Sequence, residues 1–387
     1  MYHVKLYNKI SKVGLDDLDP AKYAYGEEMA EYDAVLVRSA KLHDVQFPEG
    51  LKCIARAGAG VNNIPVERCA SEGIVVFNTP GANANAVKEL VICALLLASR
   101  KIVQGANWVK SLKGTPDIGP AAEKGKATYA GPEIAGKRLG IIGLGAIGVK
   151  VANAAVSLDM DVWGYDPYLS VDGALKLSRS VKHVTDIKEI FANCDYITIH
   201  VPLTPDTKHT ISAETIDQMK DGVRVINLAR GELVDEQAMA QALASGKVAA
   251  YVSDFASDSI LAQENAITLP HLGASTPESE DNCAKMAVYE ITEYLEKGTI
   301  RNSVNFPNLK VPYEGGTRVC MIHKNAQGMI GSITNVLSQE GANIENMGNR
   351  SKGDYAYTIM DVSIDPTEAM LDKLRAIDGM ISVRVIR

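Results

Sequence analysis

The sequence predicts an α/β protein with two doubly wound lobes and a small C-terminal α+β unit. Three observations support this prediction. Short apolar runs typical of buried parallel strands alternate with amphipathic helical patterns over most of the chain. A glycine-rich turn, residues 143–148, joins one of these strands to a helix. From residue 317 the order changes to strand, helix, strand, strand, helix, strand.

The first lobe is predicted from apolar strands that end in polar residues. Residues 34–39 form one such strand and residues 51–56 the next, followed by the glycine-rich turn 57–63. Ligands of open α/β sheets lie beyond the carboxyl ends of the strands. Two arginines at neighbouring strand ends favour an anionic substrate, although the glycine turn alone could be a simple chain reversal. The candidate substrate-binding residues are Arg38, Ser39, Arg56, Gly58 and Asn62.

The second lobe is organised around a βαβ unit. Its first strand leads into Gly143, which allows a tight turn. Gly145 then lets a pyrophosphate approach the backbone, and Gly148 lets the helix pack against the strand. The free N–H groups and positive end of the helix face the phosphates. Asp166 ends the second strand, where its carboxylate can accept bonds from both ribose hydroxyls and would repel a 2′-phosphate. The unit therefore predicts a dinucleotide site that prefers NAD to NADP.

Strands and helices continue to alternate around this unit. Long helices at 83–101 and 277–297 are expected to connect the two lobes. The segment 105–136 has little periodicity and either wraps a second subunit or lies on the surface. The predicted substrate-binding domain is discontinuous and consists of residues 1–95 and 277–305. The dinucleotide-binding domain is predicted at 96–276. A linker at 306–316 leads to the C-terminal unit at 317–387.

Two strand ends in the second lobe carry side chains suited to hydride transfer. Oxidation of a secondary alcohol needs a base for the hydroxyl proton, a cation for the substrate carboxylate and an acid beside the base. His271 follows a predicted strand and can be the base. Arg230, at another strand end, offers a planar fork for a carboxylate. A lone histidine is more often structural, but a position opposite a dinucleotide site favours catalysis.

Composition narrows the functional classes. A net charge of −7 and a pI of about 5.6 argue against a nucleic-acid-binding surface. The six cysteines are scattered without the spacing of a metal site, which indicates buried thiols. The N-terminus has no apolar signal region, and the longest apolar run is too short to span a bilayer. We expect a cytoplasmic enzyme with no metal, nucleic-acid or membrane partner.

Three motifs together resemble the D-isomer-specific 2-hydroxyacid dehydrogenases: residues 143–148, 227–231 and 270–276. The resemblance covers essentially the whole chain and implies two Rossmann-like lobes with NAD as cofactor. Residues 37–40 and 56–61 are similar to the members that act on D-3-phosphoglycerate. The implied reaction is its oxidation to 3-phosphohydroxypyruvate, the first step of serine synthesis, so the expected partner is a phosphorylated 2-hydroxy acid.

The resemblance also implies roles for individual residues. Arg230 would bind the substrate carboxylate and carbonyl, and His271 would be the acid/base. Arg38 and Arg56 would meet the phosphate and carboxylate region, with the turn at Asn62 beside them. The residues implied to contact NAD are Gly143, Gly145, Ala146, Ile147, Gly148, Asp166, Pro202, Ala229, Asp254, Gly273 and Ala274.

One position departs from the family pattern. The family places a glutamate shortly after the strand that ends at Asp254, where it orients and charges the histidine. In this chain Asp258 is the only acid within reach by spacing, so it is assigned the catalytic partner role. The alternative is that Asp258 caps a turn.

Residues 317–387 resemble an ACT domain, a ferredoxin-like βαββαβ sensor of small molecules. His323, Asn325 and Asn343 match the positions with which bacterial relatives bind serine between two such domains. The resemblance implies L-serine as an effector and a homodimer or homotetramer. Gln327 replaces the usual proline before Gly328, and a dimerisation module that binds nothing is the alternative.

Two other functions compete with this interpretation. A glyoxylate or hydroxypyruvate reductase would share Arg230 and His271 but would need less positive charge than Arg38 and Arg56 supply. An NAD-sensing scaffold, like the C-terminal-binding co-repressors that resemble this fold, would bind NADH without turning over any 2-hydroxy or 2-oxo acid.

Overall fold

The computed structural model describes all 387 residues and divides them into two compact units. The first unit consists of Met1–Asn83 and Pro277–Arg387, and the second of Ala84–Thr276. The domain boundary predicted at residue 95 falls inside a helix that belongs wholly to the second unit, Ala84–Ser99. The compact units therefore divide about a dozen residues earlier than the sequence pattern indicated, because the polar turn before this helix, not the helix itself, ends the first unit.

The chain forms sixteen strands and fourteen α-helices. The strands are β1 (Tyr2–Tyr7), β2 (Tyr23–Gly26), β3 (Ala34–Val37), β4 (Cys53–Arg56), β5 (Val75–Asn78), β6 (Arg138–Ile142), β7 (Asp161–Tyr165), β8 (Lys182–Val184), β9 (Tyr196–Ile199), β10 (Val223–Asn227), β11 (Val248–Ser253), β12 (Ala266–Thr268), β13 (Thr317–Lys324), β14 (Ile344–Lys352), β15 (Tyr355–Val362) and β16 (Met380–Ile386).

The helices are α1 (Lys12–Leu15), α2 (Val66–Ser71), α3 (Ala84–Ser99), α4 (Ile102–Ser111), α5 (Ile118–Gly125), α6 (Ala146–Val156), α7 (Val171–Lys176), α8 (Ile187–Asn193), α9 (Ala213–Asp217), α10 (Glu236–Ser245), α11 (Asp258–Leu261), α12 (Pro277–Lys297), α13 (Met329–Gln339) and α14 (Glu368–Arg375). None of them combines the length and hydrophobicity needed to cross a bilayer.

The N-terminal part of the first unit is a five-stranded parallel sheet in the order β2-β1-β3-β4-β5. All four residues of β3 are buried, as expected for a strand covered on both faces. In the ladder, Val37 of β3 is opposite Arg56 of β4. This register places the ends of both strands, with Arg38 and Arg56, side by side at the carboxyl edge of the sheet.

A four-stranded antiparallel sheet in the order β14-β15-β13-β16 forms the C-terminal part of the same unit. Alternate residues of β13 face two different cores, as the period of a strand requires. Val319 and Met321 pack with α13 and α14, whereas Cys320 and Ile322 join the core that contains Phe77.

The predicted linker, residues 306–316, also contributes to this shared core of the first unit. Phe306, Leu309 and Val311 are buried in it. Tyr357 of β15 donates a hydrogen bond to the carbonyl of Gly298, directly after α12, over 2.7 Å. The C-terminal sheet is therefore packed against the rest of the first unit instead of hanging from a free tether.

The second unit is a seven-stranded parallel sheet in the order β12-β11-β10-β9-β6-β7-β8, with helical cores on both faces. The chain starts at β6, proceeds to β8 on one side, then crosses over and continues from β9 to β12 on the other side. This is the Rossmann-like order, and it reverses between β6 and β9. The predicted doubly wound α/β class, with parallel-sheet Rossmann-like lobes, is confirmed. A dinucleotide is expected at the carboxyl edge beside β6.

Candidate active site

The glycine turn after β6 has the geometry of a phosphate-binding turn. Gly143 has a φ of +96°, and a Cβ there would lie 2.7 Å from the carbonyl oxygen of His200. A Cβ on Gly148 would lie 1.9 Å from the carbonyl oxygen of Gly143. Both positions therefore require glycine. By contrast, nothing lies within 4 Å of the Cβ position of Gly145, so space for a ligand remains where α6 begins.

The start of α6 leaves backbone donors free. Its N-cap is Gly145, which has no side chain to accept a hydrogen bond from the first turn. The N–H groups and the positive end of the helix dipole are therefore available to an anion. Next to the turn, Asp166 accepts hydrogen bonds from the N–H groups of Leu144 (2.8 Å) and Tyr168 (2.8 Å). Each carboxylate oxygen retains a further lone pair for a ribose hydroxyl.

A half-buried histidine, His200, follows β9 beside this turn and was not singled out in the sequence. Its Nε2 lies 3.0 Å from the hydroxyl of Thr198. Burial lowers the pKa of His200 to about 4, so its ring is neutral at pH 7. The positive character of the phosphate site therefore comes from backbone N–H groups and the helix dipole, and not from this histidine.

Asn227, at the end of β10, shapes the loop that carries Arg230. This fully buried amide accepts a hydrogen bond from the N–H of Ala229 (3.1 Å) and donates one to the carbonyl of Arg230 (2.8 Å). The Arg230 side chain is exposed, and its Nη1 donates to the carbonyl of Ala229 over 2.6 Å. No acidic side chain forms an ion pair with it, so most of the guanidinium fork is available to a substrate carboxylate.

Asp254, just after β11, holds the loop that carries His271. Only 3% of Asp254 is exposed, and its two carboxylate oxygens accept hydrogen bonds from the N–H groups of Leu272 (3.0 Å) and Gly273 (2.7 Å). His271 has a φ of +56°, in the left-handed region that non-glycine residues seldom adopt. The sequence indicated Asp254 only as a cofactor contact; in the structure its carboxylate fixes the backbone after the histidine.

Phe255 links the two loops of the second unit and was also missed in the sequence. Its ring lies edge-on to the His271 ring, with centroids 5.2 Å apart. A Cβ on Gly231, the residue after Arg230, would lie 3.4 Å from the Phe255 Cβ. The arginine and histidine loops therefore share one aromatic neighbour, and both lie at the carboxyl edge of the sheet. A bulky apolar residue directly after the aspartate was the available signal.

The structure does not bring Asp258 to His271. Asp258 is exposed and is the first residue of α11, where a carboxylate is favoured by the free N–H groups and the dipole of the helix. No carboxylate lies within ion-pair distance of the His271 ring. In this structure the two residues form no ion pair, and the partner role assigned to Asp258 from spacing stays a prediction.

In the first unit, three of the predicted substrate-binding residues line one cleft of about 480 Å³: Ser39, Arg56 and Asn62. Lys41 and His43 line it too and were not predicted. Both residues follow the same strand end as Ser39, and this position in the sequence could have identified them. The cleft is cationic, and it lies at the carboxyl edge of β3 and β4.

Arg56 is held over its own turn. Its Nε donates to the carbonyl of Arg38 over 3.0 Å. A Cβ on Gly58, whose φ is +147°, would lie 1.8 Å from Nη1 of Arg56. Glycine is therefore needed at position 58 to make room for the guanidinium. Arg38 itself forms an exposed ion pair with Glu280, at 2.7 Å.

The three predicted effector residues do not converge within one chain. His323 is buried, its Nδ1 bonded to the carbonyl of Lys324 (2.7 Å) and its Nε2 to the hydroxyl of Thr358 (2.8 Å). Burial lowers its pKa. Asn325 follows the same end of β13, whereas Asn343 precedes β14 at the opposite end of the sheet. At about 3.3 Å per residue, Asn343 is separated along the strands by roughly 23 Å from His323 and by roughly 30 Å from Asn325.

Comparison with known proteins agrees with this geometry. Residues 92–273 match the family model "D-isomer specific 2-hydroxyacid dehydrogenase, NAD binding domain". A D-3-phosphoglycerate dehydrogenase of Haemophilus influenzae is 33% identical, over 84% of this chain and 79% of that enzyme. The Escherichia coli enzyme of the same name is 30% identical, over 99% of this chain and 95% of that enzyme.

Solved structures give the same result. The NAD⁺-bound 3-phosphoglycerate dehydrogenase of Entamoeba histolytica superimposes with a TM-score of 0.62 and 27% identity, covering 80% of this chain and 99% of that one. A glyoxylate reductase from Paecilomyes thermophila gives a TM-score of 0.64 with 26% identity, covering 78% of this chain and 98% of that one. The dinucleotide turn, the Arg230 and His271 loops and these similarities lead to one conclusion: the chain belongs to the D-isomer specific 2-hydroxyacid dehydrogenase family.

Proposed function

We propose that the chain catalyses the NAD-dependent oxidation of D-3-phosphoglycerate to 3-phosphohydroxypyruvate, the first step of L-serine biosynthesis. The observation that carries this proposal is the cationic cleft of the first unit, where Arg56 and Lys41 lie at neighbouring strand ends. Such a cleft suits a phosphate group, which a simple 2-hydroxy acid lacks. The names of the relatives in Haemophilus influenzae and Escherichia coli support the same substrate.

In this proposal the second unit carries out the chemistry. A ring nitrogen of His271 takes the proton of the substrate hydroxyl as general base. Arg230 binds the substrate carboxylate and stabilises the negative charge that develops on the oxygen as it becomes a carbonyl. NAD, when bound, accepts the hydride from the substrate carbon that carries this hydroxyl. In the reverse reaction, His271 returns the proton to the carbonyl oxygen.

The residues of the glycine turn fit NAD. The open space at Gly145, the uncapped start of α6 and the Asp166 carboxylate support a pyrophosphate and an unphosphorylated ribose there. The residues that would hold NAD are Gly143, Gly145, Ala146, Ile147, Gly148, Asp166, Pro202, Ala229, Asp254, Gly273 and Ala274. Asp254 would do so indirectly, since its carboxylate already binds the backbone of the histidine loop.

The first unit would bind the phosphate end of the substrate. The proposed substrate-binding residues are Arg38, Ser39, Arg56, Gly58 and Asn62. The Arg38–Glu280 ion pair is exposed on both sides, and such pairs contribute only about 0–1 kcal/mol. A phosphate can therefore compete with Glu280 for the Arg38 guanidinium.

For residues 317–387 we propose a ferredoxin-like ACT domain that binds L-serine. The observed order β13-α13-β14-β15-α14-β16 supports that fold. The separation of Asn343 from His323 and Asn325 means that a serine site would need His323 and Asn325 of one copy with Asn343 of another. The buried hydrogen bonds of the His323 ring would then fix its orientation.

The proposed assembly is a homodimer or homotetramer. Within the segment 105–136 and just before it, α4 has no buried residue, and several large apolar side chains of α4 and α5 are exposed. They are Ile102, Val103, Val109 and Ile118. Apolar side chains clustered on the surface of a monomer are typical of an interface, which supports contact with a second copy over simple surface placement.

The first experiment is NADH oxidation by the purified chain with 3-phosphohydroxypyruvate, hydroxypyruvate and glyoxylate. We expect kcat/KM to be at least ~100-fold higher for the phosphorylated acid, or about 2.7 kcal/mol of transition-state binding. Arg56→Gln should remove most of that preference, whereas Lys113→Gln, which neutralises an exposed cation of the second unit, should not. Equal rates with all three acids would support the glyoxylate or hydroxypyruvate reductase. NADH binding without any turnover would support the NAD-sensing scaffold.

The effector proposal is tested in the same assay. L-serine at millimolar concentration should lower the rate with 3-phosphohydroxypyruvate, and Asn343→Ala should abolish that inhibition without changing the uninhibited rate. A rate that stays constant across this range of serine would leave the C-terminal unit as a dimerisation module.

A further inference from the structure

A second cationic cleft lies in the first unit, away from the strand ends that carry Arg56. It has a volume of about 510 Å³ and is bounded by α12, by the segment that follows it and by β14, the edge strand of the C-terminal sheet. None of the residues proposed above to bind substrate, NAD or serine lines it. The reaction and the ligands proposed above therefore do not involve this cleft.

Three cations line the cleft from two different elements. Arg301 and Lys310 belong to the segment after α12, and Arg350 belongs to β14. All three are exposed, and in the structure none of them forms an ion pair or a side-chain hydrogen bond. Surface cations usually find an acidic neighbour or spread apart, because like charges close together repel. Three unpaired cations around one concavity favour an anionic ligand.

The acidic residues of the cleft do not neutralise these cations. Glu293 lines the cleft but is paired with Lys297 one helical turn away. Glu290 is 1% exposed, and its Oε1 accepts a hydrogen bond from Nδ2 of Asn302 over 2.7 Å. Its second oxygen, Oε2, is buried and has no hydrogen-bond partner.

When the Glu290 carboxyl is protonated, its unpartnered oxygen can donate a hydrogen bond to an anion. Burial raises the pKa of Glu290 to about 8, against the opposing effects of Asn302 and Arg301. At pH 7 the group is therefore mostly neutral. Because Oε1 accepts from Asn302, the proton on Oε2 is a donor without an acceptor, and a buried donor without an acceptor is unfavourable. An oxyanion in the cleft would supply that acceptor.

We propose that this cleft binds a small multivalent oxyanion, held by Arg301, Lys310 and Arg350 and accepting a hydrogen bond from the Glu290 carboxyl. The chemistry fits a phosphate ester or a di- or tricarboxylate of metabolite size, since the cleft is large enough for a molecule of several carbon atoms. Bound there, the anion would connect α12 and its following segment to the edge strand of the C-terminal sheet.

The test uses sodium sulfate as the probe and isothermal titration calorimetry on the full chain at pH 7. The titration uses Arg56→Gln with NAD at saturation, because the substrate cleft and the start of α6 could each bind sulfate; sulfate binding that survives then reports the second cleft. Adding Arg301→Gln and Arg350→Gln should weaken the surviving binding at least tenfold, whereas adding Lys113→Gln should leave it unchanged. Displacement of sulfate by glycerol 3-phosphate or by citrate then shows which oxyanion class the cleft prefers.

The pH dependence gives an independent readout. The charged or titratable groups around Glu290 are Arg301 and Lys310 of the following segment, Arg350 of β14, and Tyr289 and Glu293 of α12 itself. Sulfate keeps its charge between pH 6 and 9, so its affinity should fall as Glu290 ionises near pH 8, and Glu290→Gln should remove that fall. The proposal is overturned if Arg56→Gln alone abolishes sulfate binding, or if the Arg301 and Arg350 substitutions leave it unchanged. Neither result depends on the dehydrogenase reaction.

Discussion

Replacement of Asp254 by asparagine tests how the protein holds its acid/base residue. The Asp254 carboxylate accepts hydrogen bonds from the N–H groups of Leu272 and Gly273, over 3.0 and 2.7 Å. Asparagine has the same size but offers only one acceptor oxygen. Its amide nitrogen would face one of the two N–H groups, so one hydrogen bond is lost and two donors oppose each other.

The size of the effect follows from the charge and burial of Asp254. A hydrogen bond to a buried charged group contributes about 1.5–3 kcal/mol, whereas a left-handed backbone such as that of His271 costs about 1–2 kcal/mol. Two such bonds outweigh the strain, but one bond with a repulsive contact does not. We therefore expect the loop to open more readily by about 2 kcal/mol, which is roughly 30-fold.

Hydrogen exchange measured by mass spectrometry on the loop after His271 reports this opening directly. In Asp254→Asn the exchange of this loop should accelerate by about 30-fold, and kcat should fall at least tenfold because the histidine is no longer held in place. Asp235→Asn is the matched control, since Asp235 also accepts two backbone N–H groups, at the start of α10. Unchanged exchange together with weaker NADH binding would refute the positioning role and assign Asp254 to the cofactor.

Three further outcomes are expected. Asp258→Asn should leave the acid limb of the pH–rate profile in place, because Asp258 does not contact His271; a displaced limb would show that the carboxylate reaches the histidine during turnover. Glu290 has its pKa raised from 4.5 to about 8 in the folded chain, so the folded state retains a proton that the unfolded state loses. The free energy of unfolding should therefore fall by about 1.4 kcal/mol per pH unit between these values, and urea titrations of Glu290→Gln should lack that slope. Arg318→Lys should lower the stability by about 3 kcal/mol, because the fully buried guanidinium binds both carboxylate oxygens of Asp361, at 2.6 and 2.9 Å; a loss no greater than that of the exposed Arg387→Lys would contradict this.

The parts of the site that the sequence could predict are those with a backbone requirement. Gly143 and Gly148 leave no room for a Cβ, so any chain that folds this way must have glycine there, and the pattern is visible in one sequence. The placement of Arg230 and His271 at one edge of the sheet was predictable because each follows a strand, and parallel strands bring their carboxyl ends to one edge. These positions depend on local geometry or on simple topology.

The remaining parts depend on contacts between segments that are distant along the chain. The hydrogen bonds of Asp254 reach a loop eighteen residues later, and sequence spacing cannot show that an aspartate beside a cofactor turn binds backbone instead of ligand. Asp258 illustrates the opposite case: it precedes the histidine closely in sequence, yet in the structure it is the first residue of a short helix and forms no ion pair with His271. An acid seen only in sequence can serve a helix, a loop or a histidine, and only the fold decides among them.

The packing of the C-terminal sheet also depends on contacts between distant segments, and it determines which parts of the protein a ligand of that sheet can affect. Its βαββαβ order was readable from periodicity, but a second apolar face on β13 and β15 was not recognised as one that needed a cover. The structure covers it with the core that contains Phe77 and the end of α12. Because Tyr357 and Arg318 bind the backbone of the residues at the end of that helix, a ligand that shifts the sheet also acts on α12. A ligand bound to residues 317–387 would therefore affect α12 through direct packing contacts, because no flexible linker separates this sheet from that helix.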